Sequence, residues 1–243
     1  MALTSDAAMM LFYDIEGDTA DHDDWHSREH FHERLSVPGF LRATRWIALE
    51  SGERYMVSYE VSDVDVATSK GYLDRLNDPT PWTSEMMPRF RGMVRGFCHV
   101  TASAGFGLGA VAAVLRFHPE AGREDALSAW LAGAVLQELV AGRGMVSAYL
   151  MRPAPPPPMT REQALRGQDK VMPWLVVATA YDRGALDAAT DASLGQDALI
   201  ANGATPDMRC DLYGLHYTAT ADEAARSRPL AEQGRGLHPA GAG

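Results

Sequence analysis

The chain has 243 residues, of which 46% are hydrophobic and 22% are charged. This composition is typical of a globular protein, so it excludes a disordered chain and a fibrous repeat. Its 22 Lys and Arg residues are outnumbered by 32 Asp and Glu residues, which gives a formal net charge of −10. Because an acidic chain is repelled by a phosphate backbone, we expect no nucleic acid partner.

The start of the chain predicts neither export nor membrane insertion. No Lys or Arg precedes its apolar stretch, whereas a secretory signal begins with positive charge. No apolar run approaches the roughly 20 residues that a membrane-spanning helix requires. We therefore expect a cytoplasmic protein without membrane contact. Cys98 and Cys210 lack metal-ligand spacing, which favours two reduced thiols, with a single disulfide as the alternative.

The first hundred residues alternate strand and helix patterns. Short apolar or alternating stretches predict strands, and longer amphipathic stretches predict helices. The sequence Asp78-Pro79-Thr80-Pro81 ends one helix, because proline cannot continue it, and a short helix could follow over 82–90. The predicted order is βαββαβ, with strands over 8–15, 40–49, 55–61 and 93–102 and helices over 23–35 and 64–76.

After a flexible connector that contains Gly105, Gly107 and Gly109, the same order starts again. A Pro-rich stretch over 153–158 is predicted to be a long loop. Residues 221–243 are rich in Ala, Arg, Gly and Pro, and we predict a flexible tail there. The predicted elements of this half are strands over 110–117, 145–151, 175–181 and 208–218 and helices over 123–140 and 185–200.

Two βαββαβ units predict an α+β protein built from tandem ferredoxin-like repeats. Short matches support a duplication, since residues 98–102 (CHVTA) resemble residues 215–219 (LHYTA). Each sheet would carry helices on one face and leave the other face bare, and pairing the bare faces would bury both. We therefore predict an intrachain dimeric α+β barrel with halves at 1–104 and 105–220.

Residues 25–40, WHSREHFHERLSVPGF, carry a family resemblance. They resemble the first helix of EthD-like proteins in the dimeric α+β barrel superfamily, W-Y-x-E-E-H-x-P-E-R-L-x-V-P-G-F. The resemblance covers roughly the first hundred residues, and the chain departs from it at His26 and His32, where the family has an aromatic residue and a proline. The superfamily includes monooxygenases, isomerases, decarboxylases, dehydratases and haem enzymes, so the resemblance implies the fold without choosing a reaction.

Four histidines lie close together at positions 22, 26, 30 and 32. Residues four apart share one side of a helix, so His26 and His30 are neighbours and Glu29 lies beside them. Imidazoles titrate near neutrality, and a carboxylate bonded to one ring nitrogen fixes the tautomer. We predict that His30 is the general acid or base, His26 its partner and Glu29 the orienting carboxylate. The alternative is a solvated polar face.

Five further residues are candidates for substrate binding. Arg45 could pair with a substrate anion through a two-pronged contact, although it could also be an ordinary surface charge. Tyr13, Tyr59 and Trp82 could supply aromatic walls, with core filling as the alternative for Trp82. His118 ends the first strand of the second half, where it could lie either at the pocket rim or on the surface.

These residues favour a cofactor-independent lyase or isomerase, including a decarboxylase, that acts on a small anionic aromatic or lactone-like substrate. One alternative is a metal- or haem-dependent oxygenase, in which His26 and His30 hold a divalent metal. Their spacing suits a metal, but Ser27 stands where a zincin motif has Glu. A second alternative is a non-catalytic ligand-binding or assembly module. A homodimer is an open expectation in each case.

Overall fold

A computed structural model describes residues 3–227. Within this range, eight antiparallel strands close into a barrel in the order β1-β3-β2-β8-β5-β7-β6-β4. Its strands are β1 (Ala7–Ile15), β2 (Phe40–Ala48), β3 (Tyr55–Val61), β4 (Phe90–Gly105), β5 (Val111–Pro119), β6 (Met145–Pro153), β7 (Trp174–Ala180) and β8 (Ala204–Thr220).

The helices pack on the outside of the barrel. Two π-helical segments, His26–His30 and Leu131–Val135, join pairs of short α-helices into continuous longer ones, and 3-10 turns occupy Val64–Thr68 and Met87–Arg89. The α-helices in the described range are α1 (Thr19–Trp25), α2 (Phe31–Leu35), α3 (Lys70–Asn77), α4 (Pro81–Met86), α5 (Glu124–Trp130), α6 (Leu136–Ala141), α7 (Arg161–Arg166), α8 (Arg183–Ser193), α9 (Gln196–Ala201) and α10 (Ala221–Arg226).

Two long strands close the barrel. In the first half the strand order is β4-β1-β3-β2, and in the second half it is β8-β5-β7-β6. β4 pairs with β1 and continues along β6, while β8 pairs with β5 and continues along β2. Every strand therefore has two neighbours, which removes the exposed edges that two separate sheets would present.

Alternating side chains divide the interior into three hydrophobic clusters. On β1, Met9 and Tyr13 face the helices of the first half, whereas Met10 and Phe12 face the barrel interior. This separation follows from the period of two along a strand. A third cluster, which includes Leu127, lies between the second-half strands and their helices. The barrel interior is thus packed with side chains, and any ligand space has to lie elsewhere.

The predicted α+β class with an antiparallel sheet is confirmed, and some local predictions are wrong. The predicted helix over 185–200 is interrupted, so it forms α8 and α9. The loop that follows the Pro-rich stretch contains α7, which begins after the N-cap Thr160. Of the predicted tail over 221–243, the first residues form α10, because Thr220 and Glu223 make a reciprocal capping box. Residues 228–243 lie outside the described range.

None of the helices between residues 3 and 227 is both long enough and apolar enough to cross a membrane.

We expect the glycine that precedes β2 to be sensitive to substitution. Gly39 has φ +99°, and an added Cβ would lie 2.5 Å from Val66 Cγ2. Gly122 has φ +81° with open space around it, so Gly122→Ala controls for backbone strain. In urea unfolding, Gly39→Ala should lower the free energy of unfolding by about 1–3 kcal/mol more than Gly122→Ala, because it also overpacks the core. Equal losses would contradict this packing argument.

Candidate functional site

A small cavity of about 30 Å³ lies between the first-half strands and the helices that cover them. We call it the first-half cavity. Its apolar and aromatic wall includes Met9, Tyr13, Trp25, Tyr59, Tyr72 and Phe90. Its polar wall consists of His26, His30, Arg34, Arg95, Glu162 and Arg166. Aromatic walls with a few convergent polar groups are typical of a small-molecule site. A space of this size holds water-sized molecules, so a larger ligand requires the walls to move apart.

The long first-half helix contributes a polar stripe, which we define as His22, His26, His30 and Arg34. These side chains are 0%, 3%, 7% and 2% exposed. A spacing of four drifts slowly around an α-helix, because a turn holds 3.6 residues. The π segment His26–His30 has a wider turn and offsets that drift. The local backbone therefore keeps all four side chains on the buried side of the helix.

The imidazoles of the polar stripe contact tyrosines of the strands. His22 Nε2 lies 3.2 Å from the Tyr13 hydroxyl, and His26 Nε2 lies 3.2 Å from the Tyr59 hydroxyl. His30 Nδ1 lies 3.5 Å from Glu33 Oε2, a distance that suits an ion pair once the ring is protonated. The Nδ1 atoms of His26 and His30 make no hydrogen bond within residues 3–227. Two histidines that line the cavity thus each keep one ring nitrogen without a hydrogen bond.

Burial controls the charge of these rings. It lowers the pKa of His22, and it lowers the pKa values of His26 and His30 well below the ordinary value. Nearby positive charge adds to the effect of burial, chiefly from Arg34 in the case of His30. The imidazoles are therefore neutral at pH 7, and a neutral imidazole can accept a proton from a ligand.

The second half of the chain closes one side of the first-half cavity. Arg34 Nη2 contacts both carboxylate oxygens of Glu162 on α7 at 2.5 Å, and both residues are buried. Burial alone would raise the pKa of Glu162, but the Arg34 guanidinium outweighs it and holds that pKa below the ordinary value. Beside this pair, Arg95 and Arg166 both contact Asp169, at 3.3 and 2.9 Å. Ion pairs that join the two halves therefore form one wall of the cavity.

The corresponding helix of the second half has no such polar groups. Its π segment, Leu131–Val135, begins 105 residues after the π segment His26–His30. At the same offset, aliphatic side chains replace the whole polar stripe, and each is fully or almost fully buried: Leu127, Leu131, Val135 and Leu139. A helix in this position can therefore pack with aliphatic residues alone. The polar stripe is thus a special feature of the first half.

The structure brings together four of the predicted site residues. Tyr13, Tyr59, His26 and His30 all line the first-half cavity. Glu29, the predicted orienting carboxylate, instead accepts hydrogen bonds from the Thr80 and Thr83 hydroxyls, at 2.6 and 3.5 Å. Burial, together with the nearby Glu33 carboxylate, raises the pKa of Glu29. The carboxylate beside His30 is Glu33, because residues three apart also share one side of a helix.

Three predicted substrate-binding residues lie away from the cavity lining. Arg45 is buried on β2, where it donates to Ser27 Oγ at 2.9 Å and to His216 Nδ1 at 3.0 Å. Trp82 is half-buried and packs against the edge of the first-half core. His118 is exposed beside a different groove of the second half. Trp82 and His118 thus agree with their core-filling and surface alternatives, whereas Arg45 is neither at the cavity nor on the surface. Strand direction and helix docking, which periodicity does not fix, decide what faces the cavity.

Sequence reasoning missed the charged part of the wall. Arg34 continues the four-residue spacing of His22, His26 and His30, and that signal could have identified it. Glu162 lies 128 residues from Arg34 in a segment predicted as loop, so no local pattern connects the two. Arg95 has no local pattern that marks it as part of the wall, although its side chain is only 7% exposed. Long-range docking alone brings these charges together.

The residues of the described range do not form a binding site for a metal or a haem. No three His, Cys, Asp or Glu side chains between residues 3 and 227 are placed to hold one metal ion. A haem does not fit the cavity, because about 30 Å³ has room for water-sized molecules only. His26 Nε2 is already opposite the Tyr59 hydroxyl, and Trp25 lies 4.4 Å from the His30 ring. We derive no chemistry through either group.

Comparison with known proteins identifies the fold. No family model and no curated protein matches the chain. An anthrone oxidase-like protein matches with a TM-score of 0.62 at 9% identity, over 90% of this chain and 94% of that one. A putative monooxygenase from Fusobacterium nucleatum has a TM-score of 0.56 at 9% identity, over 90% and 96%. One from Lactobacillus acidophilus has a TM-score of 0.52 at 8% identity, over 88% and 96%.

At such low identity these likenesses show only that the chain shares an α+β fold with these proteins. They do not show the EthD-like family in particular. The names of the three proteins point to reactions with oxygen, and they contradict the prediction of a cofactor-independent lyase or isomerase. That prediction is therefore wrong, and the oxygenase-type alternative agrees better with the comparisons.

Acid should destabilise the fold through the polar stripe. The pKa values of His22, His26 and His30 are lowered in the folded chain, so the unfolded chain binds more protons below about pH 6.5. Stability is therefore full above that pH and falls as the pH drops from about 6.5 to 5. Urea unfolding at several pH values would measure this.

Replacing the three histidines by the residues of the second-half helix, as His22→Leu, His26→Leu and His30→Val, should remove most of that pH dependence. His118→Gln, at an exposed position outside the polar stripe, controls for the loss of a histidine as such. An unchanged slope in the triple variant would contradict the neutral, buried state of the stripe.

The Arg34–Glu162 pair should show strong coupling. Arg34→Leu or Glu162→Leu alone leaves a buried charge without its partner and should cost about 3–5 kcal/mol of unfolding free energy. The double variant removes both charges, and we expect it to be close to the parent in stability. A double-mutant cycle by urea unfolding measures the coupling. Additive losses would show that the two charges do not depend on each other.

Proposed function

We propose that the chain is an oxygenase-type enzyme that oxidises a small phenolic or enolisable aromatic compound in the first-half cavity. One observation carries the proposal. The first half buries neutral imidazoles and a guanidinium where the matching second-half helix buries only aliphatic side chains. Burying polar groups is unfavourable, so their presence around a cavity with aromatic walls favours a chemical role.

The reaction needs no external reductant. A neutral imidazole takes a proton from an acidic C–H or O–H of the substrate, which leaves an electron-rich anion. That anion supplies the electrons that reduce dioxygen. When a ring CH₂ becomes C=O, one oxygen atom enters the product, and the other leaves as water with the two hydrogens. Every electron comes from the substrate, so the atoms and charges balance.

His30 is the proposed proton acceptor. It lines the cavity, and Glu33 lies 3.5 Å from its Nδ1, where a carboxylate stabilises the imidazolium that forms. The low pKa of His30 reflects burial beside Arg34. A substrate anion adds negative charge beside the ring and raises its proton affinity at the moment of transfer. His26, with its Nε2 at the Tyr59 hydroxyl, is the proposed partner that fixes the geometry.

The walls are suited to an aromatic ring. Tyr13 and Phe90 lie with ring centroids 4.7 Å apart, and Trp25 lies 6.1 Å from Phe90. Aromatic side chains present large apolar surfaces with defined geometry, which favours flat ligands. Their burial also excludes water, so a reactive anion inside is protected from protonation by solvent.

Some finer predictions remain part of this proposal. We propose that the two halves descend from one duplicated ferredoxin-like unit, which the repeated strand order and the matching positions of the two π segments support. EthD-like ancestry, a cytoplasmic location and assembly as a homodimer stay predictions. The proposed partner is a small-molecule substrate and no cofactor is assigned.

Oxygen uptake tests the proposal. The purified protein should consume dioxygen with anthrone or a reactive naphthol, without added reductant and in a ratio of one O₂ per substrate molecule converted to the quinone and water. His30→Ala should lower the rate by about 10²-fold or more, the scale of a lost general base. His118→Ala is the matched control, because His118 is exposed away from the cavity. Equal rates for the parent and His30→Ala would reject the proposed role.

Titration with hemin tests whether the cavity binds haem. We expect no stoichiometric Soret band, because the cavity has no room for the macrocycle. A band that disappears in His30→Ala would show haem binding at this site and would overturn the cofactor-free mechanism.

A further inference from the structure

Arg34 carries a buried hydrogen-bond donor that the fold does not use. Its Nη2 serves both oxygens of Glu162, while its Nη1 has no hydrogen-bond partner within residues 3–227. Arg34 itself is 2% exposed and lines the first-half cavity. A buried donor without an acceptor costs about 1–3 kcal/mol, so it calls for an explanation.

The charge balance of the cavity wall also indicates that an anion would be stabilised there. Three guanidiniums line it, from Arg34, Arg95 and Arg166, but the carboxylates that pair with them are only Glu162 and Asp169. The imidazoles of the wall are neutral at pH 7 and do not alter this balance. One positive charge therefore remains uncompensated next to an enclosed, low-dielectric space, which favours an anionic ligand.

A nearby ion pair does not remove that excess. Glu33 lies behind His30 and pairs with Arg75 at 3.6 Å, so one negative charge is matched there by one positive charge. Burial raises the pKa of Glu33, although Arg34 and Arg75 oppose that rise. The excess positive charge thus belongs to the part of the wall that Arg34, Arg95 and Arg166 form.

We propose that Arg34 Nη1 binds the anionic oxygen of the substrate, so that the substrate reacts as an aromatic phenolate or enolate. This inference rests on the proposed function, because that anion is what proton transfer to His30 produces. Arg34 follows His30 by four residues, so the proton acceptor and the anion anchor share one side of the helix. Its guanidinium carbon lies 5.9 Å from the Tyr72 ring centroid, beside an aromatic wall.

Glu162 is a positioning residue in this arrangement. By binding Nη2 alone, it fixes the guanidinium and leaves Nη1 for the ligand. A purely structural ion pair would not account for the unused donor. It would also be unnecessary for packing, because Leu139 occupies the matching position of the second-half helix with complete burial. The anchor thus explains both the charge and its placement.

The ionisation of a bound phenol tests the anchor directly. The probe is 4-nitrophenol, which ionises near neutrality and whose phenolate absorbs visible light. On binding to the parent protein, its pKa should fall by about one unit or more, because an opposite charge stabilises the phenolate. The phenolate then binds at least about tenfold tighter than the phenol. Absorbance titrations at several pH values measure this, and no turnover is needed.

Three variants locate the effect. The double variant Arg34→Leu with Glu162→Leu removes both charges and should abolish the fall in pKa. Glu162→Gln keeps Arg34 but removes its competing anion, so the pKa of the bound probe should fall further than in the parent. Arg161→Gln removes an exposed charge from α7, the helix that carries Glu162, and should leave the pKa of the bound probe as it is in the parent. If Glu162→Gln does not fold, because it leaves the buried Arg34 charge unpaired, the double variant decides the question alone.

The inference is overturned if the parent binds no probe, if the probe keeps its pKa on binding, or if the shift survives loss of Arg34 or is not increased by Glu162→Gln. An Arg34-dependent shift without any oxygen uptake would reject the proposed oxygenase function and leave the anchor standing. Oxygen uptake together with a probe pKa shift that does not depend on Arg34 would reject the anchor and leave the oxygenase function standing.

Discussion

The pairing of β4 with β6 is the constraint on which the candidate site depends. In its register Cys98 lies opposite Pro153, so the chain that leaves β6 emerges beside the first half. Backbone hydrogen bonds then hold this connection along β4, from Ala154 to Phe97 and from Lys170 to Met93, each at 2.8 Å. Between these two points lies α7, which brings Glu162 to Arg34. Barrel closure therefore does more than remove sheet edges, since it also builds one wall of the cavity.

The polar stripe creates a tension between stability and chemistry. Four polar side chains are buried where aliphatic side chains would pack without penalty, as Leu127, Leu131, Val135 and Leu139 show in the second half. Tyrosine hydroxyls and the Glu162 carboxylate compensate some of that cost. The rest of the cost of burial remains, because some ring and guanidinium nitrogens make no hydrogen bond. Such local conflict between packing and polarity is expected at sites that function requires.

The two halves share an architecture, but the buried side of the long helix has a different composition in each half. Each half has a helix with a π segment at the corresponding place, and each helix covers its sheet through one buried side. In the first half that side surrounds a cavity, and in the second half Leu and Val side chains fill the interface. The second half then contributes α7 to the first. An asymmetric pair of this kind can keep one site and use the other half as scaffold and wall.

The order of elements, the α+β class and the helical position of the histidines were all readable in the sequence, because periodicity and proline or glycine punctuation act locally. The same local signals placed Tyr13, Tyr59, His26 and His30 near one another. They could not place Arg45, Trp82 or His118, whose surroundings depend on how strands and helices dock. The approach of Glu162 to Arg34 spans 128 residues and follows only from the closed barrel. Local sequence thus determined which side chains lie on each helix or strand, while tertiary packing decided which of them share a cavity.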